Sequence, residues 1–191
     1  MNTSSAPITI KTARAVHFRA PLEIPYRTTF GVMTHRQAVV ITFTDMDGTE
    51  GMAESWINFP LWAPVERMAA FEEGFFPGIV GKDIGDIPAF VRSLWNGRYR
   101  AALQSATLGP AMQALAAVEA ALLDIEAKRR GVTVGHLFSD HPAGEIPTYG
   151  SGINPPFLTD AIREARDMGI DTFKLKLGYG DDEDLENIRS L

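Results

Sequence analysis

From residue 146 onward the hydrophobic pattern runs strand, helix, strand, helix with tight connections. IPTYGSG reads as a short strand and LTDAIREARDMG as a helix with Thr159 near its start. DTFKLKLGYG reads as a second strand, and DDEDLENIRSL as the opening of an acid-led helix. Two strands joined through a helix pair side by side only if the chain crosses back over the sheet, so they run parallel. The pattern therefore predicts an α/β sheet or a (β/α) barrel, entered near residues 140–146, where HPAG breaks the preceding pattern. GYGDDED completes no phosphate loop: GK[ST] is missing, and Glu183 stands where GxGxxG needs its last glycine.

The residues before that boundary read differently. ITIKTARAVHFRAPL (8–22) alternates apolar and polar side chains, as a half-buried strand does, and QAVVITFT (37–44) is rich in β-branched residues. DMDG is a turn signal, and TEGMAESW resumes strand character, which predicts a three-stranded antiparallel sheet. The segment between the first two strands, EIPYRTTFGVMTHR, reads as a loop with two aromatics, His35 and Arg36. Such a loop serves either recognition or simple connection.

The middle is helical. APVERMAAFEEGF and IPAFVRSLWNGRY each start near a proline and end near a glycine. In PAMQALAAVEAALLDIEAKRRG the residues Ala111, Leu115, Val118, Leu122 and Ile125 form one apolar stripe. Pro110 suits the first turn, Lys128 to Arg130 suit the C-terminal dipole, and Gly131 suits the cap. Glu119 and Asp124 are read as polar-face or supporting groups of this helix rather than catalytic ones.

Charge and composition narrow the partners. Lys and Arg total 18 against 24 Asp and Glu, a formal net charge of −6. That balance argues against a nucleic-acid or anionic-membrane surface, though a pocket can still be locally basic. There is no cysteine, so disulfides and thiolate metal sites are excluded. The opening MNTSSAPITIK lacks the pattern of a secretory signal, and no apolar run is read as long enough to span a bilayer. The expectation is a soluble, cytoplasmic protein.

The strand DTFKLKLGYG puts Lys174 and Lys176 on one face and Phe173, Leu175 and Leu177 on the other. In a (β/α) barrel one face meets the helices and the other fills the interior. Phe173, Leu175 and Leu177 suit the helix layer, so both lysines would point inward near the strand's C-terminal end, where barrel active sites lie. Desolvation and mutual repulsion both lower a lysine pKa, toward the range useful for a general base near neutral pH. An anionic substrate would supply the missing counter-charge. A lone K-x-K fits a surface strand with snorkelling lysines better. Its place on the predicted second barrel strand, after a mixed α+β region, favours the interior.

That ordered set resembles the enolase superfamily, in its muconate lactonizing enzyme and mandelate racemase branches. The resemblance rests on the N-terminal sheet with its loop, DMDGTEGMAES, AVEAALLDIEAKRRG leading to GHLF, and FKLKLG. Ala127-Lys128 stands where a Gly-Lys pair is common, and Ser139-Asp140 follows HLF where a glycine is common. The implied fold is an α+β capping domain, antiparallel sheet plus helices, over residues 1–142. Residues 143–191 would be the first two β/α units of a TIM-like barrel, incomplete in this chain.

By the same resemblance Lys176 is the base that removes the proton alpha to a substrate carboxylate, and Lys174 assists it electrostatically through an ene-diolate intermediate. Tyr26, Phe30 and Trp56, from loop 24–36 and from ESWINFPLW (54–62), would contact substrate at the barrel mouth, and Ser151 would donate a hydrogen bond to it. The implied cofactor is Mg²⁺ or Mn²⁺, with ligands beyond residue 191, because a carboxylate's α-proton is too weakly acidic for an amine alone. Asp181, Asp182, Glu183 and Asp184 begin a helix and do not converge as a metal site. The outcome is racemisation, epimerisation or cycloisomerisation of a small carboxylate. The alternatives are an acid-sugar dehydratase of the same superfamily and a non-catalytic domain without a metal site. Two barrel strands alone leave an open edge, so the rest of the barrel is expected from a longer chain or a partner, and these 191 residues alone are expected to be inactive. Homo-oligomeric assembly is also expected.

Overall fold

The computed structural model describes residues 6–57, 59–153 and 158–189. The chain divides into two compact units, Met1–Arg19 with Gln37–Pro142, and Ala20–Arg36 with Ala143–Leu191.

Strands β1 (Ile8–Thr28), β2 (Gly31–Asp45), β3 (Glu50–Ser55) and β4 (Asp83–Ile84) form one sheet in the order β3-β2-β1-β4. The sheet thus has four strands where the sequence predicts three. The added β4 contributes two residues, paired antiparallel as Ile8↔Ile84 and Thr9↔Asp83, too few to show any alternation. β2 and β3 pair antiparallel from Val39↔Ser55 to Thr44↔Glu50. Alternate β2 residues Val39, Ile41 and Phe43 are fully buried, which is the period-two signature made physical.

The largest correction concerns segment 24–36. It is not a loop. β1 continues to Thr28 and β2 resumes at Gly31, so Thr29 and Phe30 alone make the turn. Gly31 has φ 140°, and the Thr28 hydroxyl accepts from the Phe30 amide (3.1 Å) and donates to the Gly31 carbonyl (2.9 Å). Pro21 and Pro25 hide the strand from a propensity reading, because proline removes a ladder donor and is rare in strands.

Helices α1 (Ala63–Ala69), α2 (Ile87–Gln104) and α3 (Leu108–Arg130) cover the sheet's buried face. A π-helical turn, Ala70–Phe75, continues α1, and α2 runs past Gly97, where the sequence suggests a stop. Asp86 caps α2 by accepting from the Ala89 amide at 2.8 Å. In α3 Leu115, Val118, Leu122 and Ile125 are buried, and Gly131 ends the helix at φ 65°. α3 is long and apolar enough to cross a membrane by length and composition, contrary to the sequence reading. Here that apolar surface lies in the core, packed against β3.

The packing is close enough to need glycine. A Cβ on Gly51 would lie 2.1 Å from the Ala121 carbonyl oxygen and 2.5 Å from Ile125 Cγ1. Asp124, on the same helix, accepts from the Met52 amide (2.9 Å) and from Lys128 (2.8 Å), while Lys128 donates to the Glu50 carbonyl (2.7 Å). Asp124 therefore ties α3 to the β3 backbone, the supporting role read from sequence. The DMDG turn is held in the same way: Asp45, 1% exposed, accepts from the amides of Asp47 and Thr49 at 3.0 and 2.8 Å.

In the second unit β5 (Gly150–Ile153) and β6 (Phe173–Leu175) pair in parallel, Gly150↔Phe173 and Ile153↔Leu175. Helices α4 (Leu158–Asp167) and α5 (Asp181–Arg189) follow them. This is the expected βαβα run, with both strands shorter than read: β5 starts at Gly150 rather than Ile146, and β6 ends at Leu175. Gly150 is required by close approach, since a Cβ there would meet the Phe173 ring at 3.0 Å.

Candidate active site

Phe173 and Leu175 pack against Ile162 of α4. Lys174, between them on the strand, stands on the opposite face and is exposed. Lys176 follows the last paired residue and is half-buried. Leu177 does not join Phe173 and Leu175 on the helix side; it lies past the strand end and is 50% exposed.

The two lysines sense each other. A hydrogen bond from the Lys174 ammonium to the Lys176 amine, and the repulsion of its charge, hold Lys176 below the ordinary lysine pKa. Desolvation adds a smaller push in the same direction. The Lys174 ammonium also lies 6.0 Å from the centroid of the Tyr149 ring, just ahead of β5. The arrangement therefore sets an amine of lowered pKa beside a second lysine, which favours the neutral form that proton abstraction needs.

The same unit holds the hairpin tip. Tyr26 is half-buried there, with the Arg36 guanidinium 5.2 Å from its ring centroid. Burial raises the Tyr26 pKa, and the Arg36 charge opposes that shift. Burial likewise raises the Tyr179 pKa, and its electrostatic coupling to Tyr26 adds to the rise. Tyr26 and Tyr179 are thus neutral hydroxyls in one neighbourhood, with Tyr179 three residues past Lys176. Phe30, at the turn, is 85% exposed. Ser151 is exposed on β5. Trp56 belongs to the other unit and is 61% exposed.

Three residues that sequence reading passed over join this neighbourhood. Arg27 pairs with Glu183 through two contacts, 2.6 and 3.3 Å, and its guanidinium lies 4.8 Å from the Tyr179 ring centroid. Arg27 and Glu183 are 156 positions apart, and no local pattern links them.

The expected metal does not fit these residues. Among the described residues no three His, Asp or Glu side chains group as a cation site. Glu183 is engaged by Arg27, and the Asp184 carboxylate accepts from the Gly178 and Tyr179 amides at 2.7 and 3.2 Å. Asp160 pairs with Arg163 at 2.6 Å.

Comparison with known proteins gives these residues a context. Residues 10–138 match the family model for the mandelate racemase / muconate lactonizing enzyme, N-terminal domain. The crystal structure of a mandelate racemase/muconate lactonizing enzyme from Bordetella bronchiseptica is similar with a TM-score of 0.83 at 30% identity, over 95% of this chain and 47% of that one. A D-galactarolactone cycloisomerase from Agrobacterium fabrum is 24% identical over 177 residues, 89% of this chain and 44% of the relative. An enolase from Bradyrhizobium, complexed with magnesium and mandelic acid, shares the fold at 22% identity and a TM-score of 0.78, over 100% of this chain and 52% of that one. The chain spans less than half the length of the curated relatives it matches.

Proposed function

The chain belongs to the mandelate racemase/muconate lactonizing enzyme family of the enolase superfamily, and from that membership we propose that it serves an enzyme removing the proton alpha to a substrate carboxylate. Lys176 is the base and Lys174 its electrostatic partner. The observation that carries this reading is the lysine pair itself, set at the end of the second parallel strand with Lys176 held below the ordinary lysine pKa by its neighbour.

The chemistry assigns each residue a task. Neutral Lys176 accepts the α-proton, and the C–H bonding pair moves into the carboxylate to give an ene-diolate. The Lys174 charge offsets part of the negative charge that develops there. The Tyr26 hydroxyl, kept protonated, supplies a hydrogen-bond donor to a substrate oxygen, while the Tyr179 hydroxyl is committed to the Arg27 carbonyl. Family membership implies a divalent cation, which lowers the energy of the dianion when bound. Among the described residues no group of three His, Asp or Glu side chains would hold it.

The isomerase outcome is the one we favour, because similarity to a cycloisomerase extends over 89% of the chain. Return of the proton to either face would racemise or epimerise the α-carbon, and attack or expulsion of a ring oxygen would cycloisomerise the substrate. The test is α-hydrogen exchange. The intact protein, supplied with Mg²⁺ in deuterated buffer, is offered α-hydroxy acids, acid sugars and their lactones, and the products are read by NMR. Deuterium at the α-carbon of an isomerised product is expected. Full retention of the α-hydrogen in every substrate that turns over would overturn the proposal.

A further inference from the structure

The lysine-bearing strand is tied to the hairpin turn by contacts that the base chemistry does not use. Residues 177–180 connect Lys176 to α5, and the first turn of α5 stiffens this loop: Asp184 accepts from the Gly178 and Tyr179 amides, and its own amide donates to the Gly180 carbonyl at 2.8 Å. Gly178 (φ 108°) and Gly180 (φ 123°) take backbone conformations that other residues adopt only under strain. The result is a preformed receptor with the Glu183 carboxylate and the Tyr179 ring presented together.

Arg27 of the hairpin fills it. Its guanidinium makes both contacts to Glu183 and lies over the Tyr179 ring, and the Tyr179 hydroxyl donates to the Arg27 carbonyl at 3.5 Å. Alongside, the Thr29 methyl group packs so closely on Gly178 that a Cβ there would meet it at 3.1 Å. Only a planar fork can pair a carboxylate through two nitrogens and face an aromatic ring at once, so lysine would not substitute.

We infer that Arg27, Glu183 and Tyr179 form a latch that holds the hairpin turn down beside the end of β6, and that Arg27 is a positioning residue for substrate capture. The functional half of this inference rests on the reading of Lys176 as the base; the latch itself does not. Both charged partners are partly exposed, with side chains 48% and 35% accessible, so the ion pair is of the strength that opens and closes and is weakened by salt. Opening frees the turn and closing brings Tyr26 and Phe30 back, so the latch sets how long a substrate stays and not how fast its proton leaves.

The experiment is amide hydrogen exchange by mass spectrometry on peptides covering residues 24–36, in the full chain and in Arg27→Ala, Glu183→Ala and the charge-reversed pair Arg27→Glu/Glu183→Arg. Arg27→Ala should raise exchange in those peptides about fivefold, the effect of losing one exposed ion pair and one cation–π contact, and Glu183→Ala, which loses the ion pair alone, about twofold. The reversed pair should recover part of the protection, and added salt should mimic the single changes. Unchanged exchange in both single variants, or no recovery in the reversed pair, would overturn the latch, whatever the protein catalyses. Steady-state kinetics of Arg27→Ala on an α-proton-exchanging substrate then reads the functional half: KM rises about fivefold while kcat holds. A fall in kcat with KM unchanged would overturn the assignment to capture and leave the hydrogen-exchange result standing on its own.

Discussion

At the scale of single residues, everything turns on one amine being made unlike other lysines by its neighbour. In its proposed role as base, Lys176 works only when neutral. Its lowered pKa means that the neutral form appears, and the rate rises, at a pH below the ordinary lysine range. Lys174→Met removes both the hydrogen bond and the charge that produce the shift. The Lys176 pKa then moves back up, so the acid limb of the pH–rate profile should shift to higher pH, with activity lost first at the acid end. A profile that stays in place would show that Lys174 does not tune Lys176. The pair stands out in sequence through its alternate spacing on the second predicted parallel strand; the spacing alone also suits a surface strand. Arg27, Tyr179 and Glu183 are not legible, since their meeting depends on a tertiary approach across more than 150 residues. Leu177 misleads for another reason: alternation carries no information past the point where the strand ends.

The elements were read well where burial imposes a period and badly where special residues break one. β2 shows its alternation openly, and α3 shows its stripe, because one face of each fills the core. The end of β1 that leads into the hairpin turn is largely exposed and carries two prolines, so neither period nor propensity reveals it. α3 and β3 meet backbone to backbone at Gly51, and that contact yields a sharp expectation. Gly51→Ala puts a methyl inside the Ala121 carbonyl, and the helix must lift from the strand. The cost should be about 3 kcal/mol, at the upper end for overpacking, and is measured by urea unfolding of the two proteins. An unchanged midpoint would mean that α3 does not rest on the strand backbone as described. Asp124, which sequence alone could place only on a polar face, is the hydrogen-bonding counterpart of that contact.

At the scale of the whole molecule, the chain joins an antiparallel sheet covered by helices to two parallel β/α units. The family is legible because these pieces occur in a fixed order, and the fold comparison extends over 95% of the chain at 30% identity. The metal centre is not legible: among the described residues no three His, Asp or Glu side chains group as a cation site. Magnesium titrated calorimetrically into residues 1–191 should therefore show no stoichiometric site of about micromolar affinity; finding one would mean that the acids of α5 rearrange to bind it. The central claim is that Lys176 removes the α-proton. Its most direct measurement is deuterium incorporation at the substrate α-carbon by the intact protein and by Lys176→Ala, with the fold of both checked by circular dichroism. The account predicts that the variant stays folded and loses exchange by several orders of magnitude, because the proton acceptor itself is gone. Exchange at the wild-type rate in folded Lys176→Ala would contradict it.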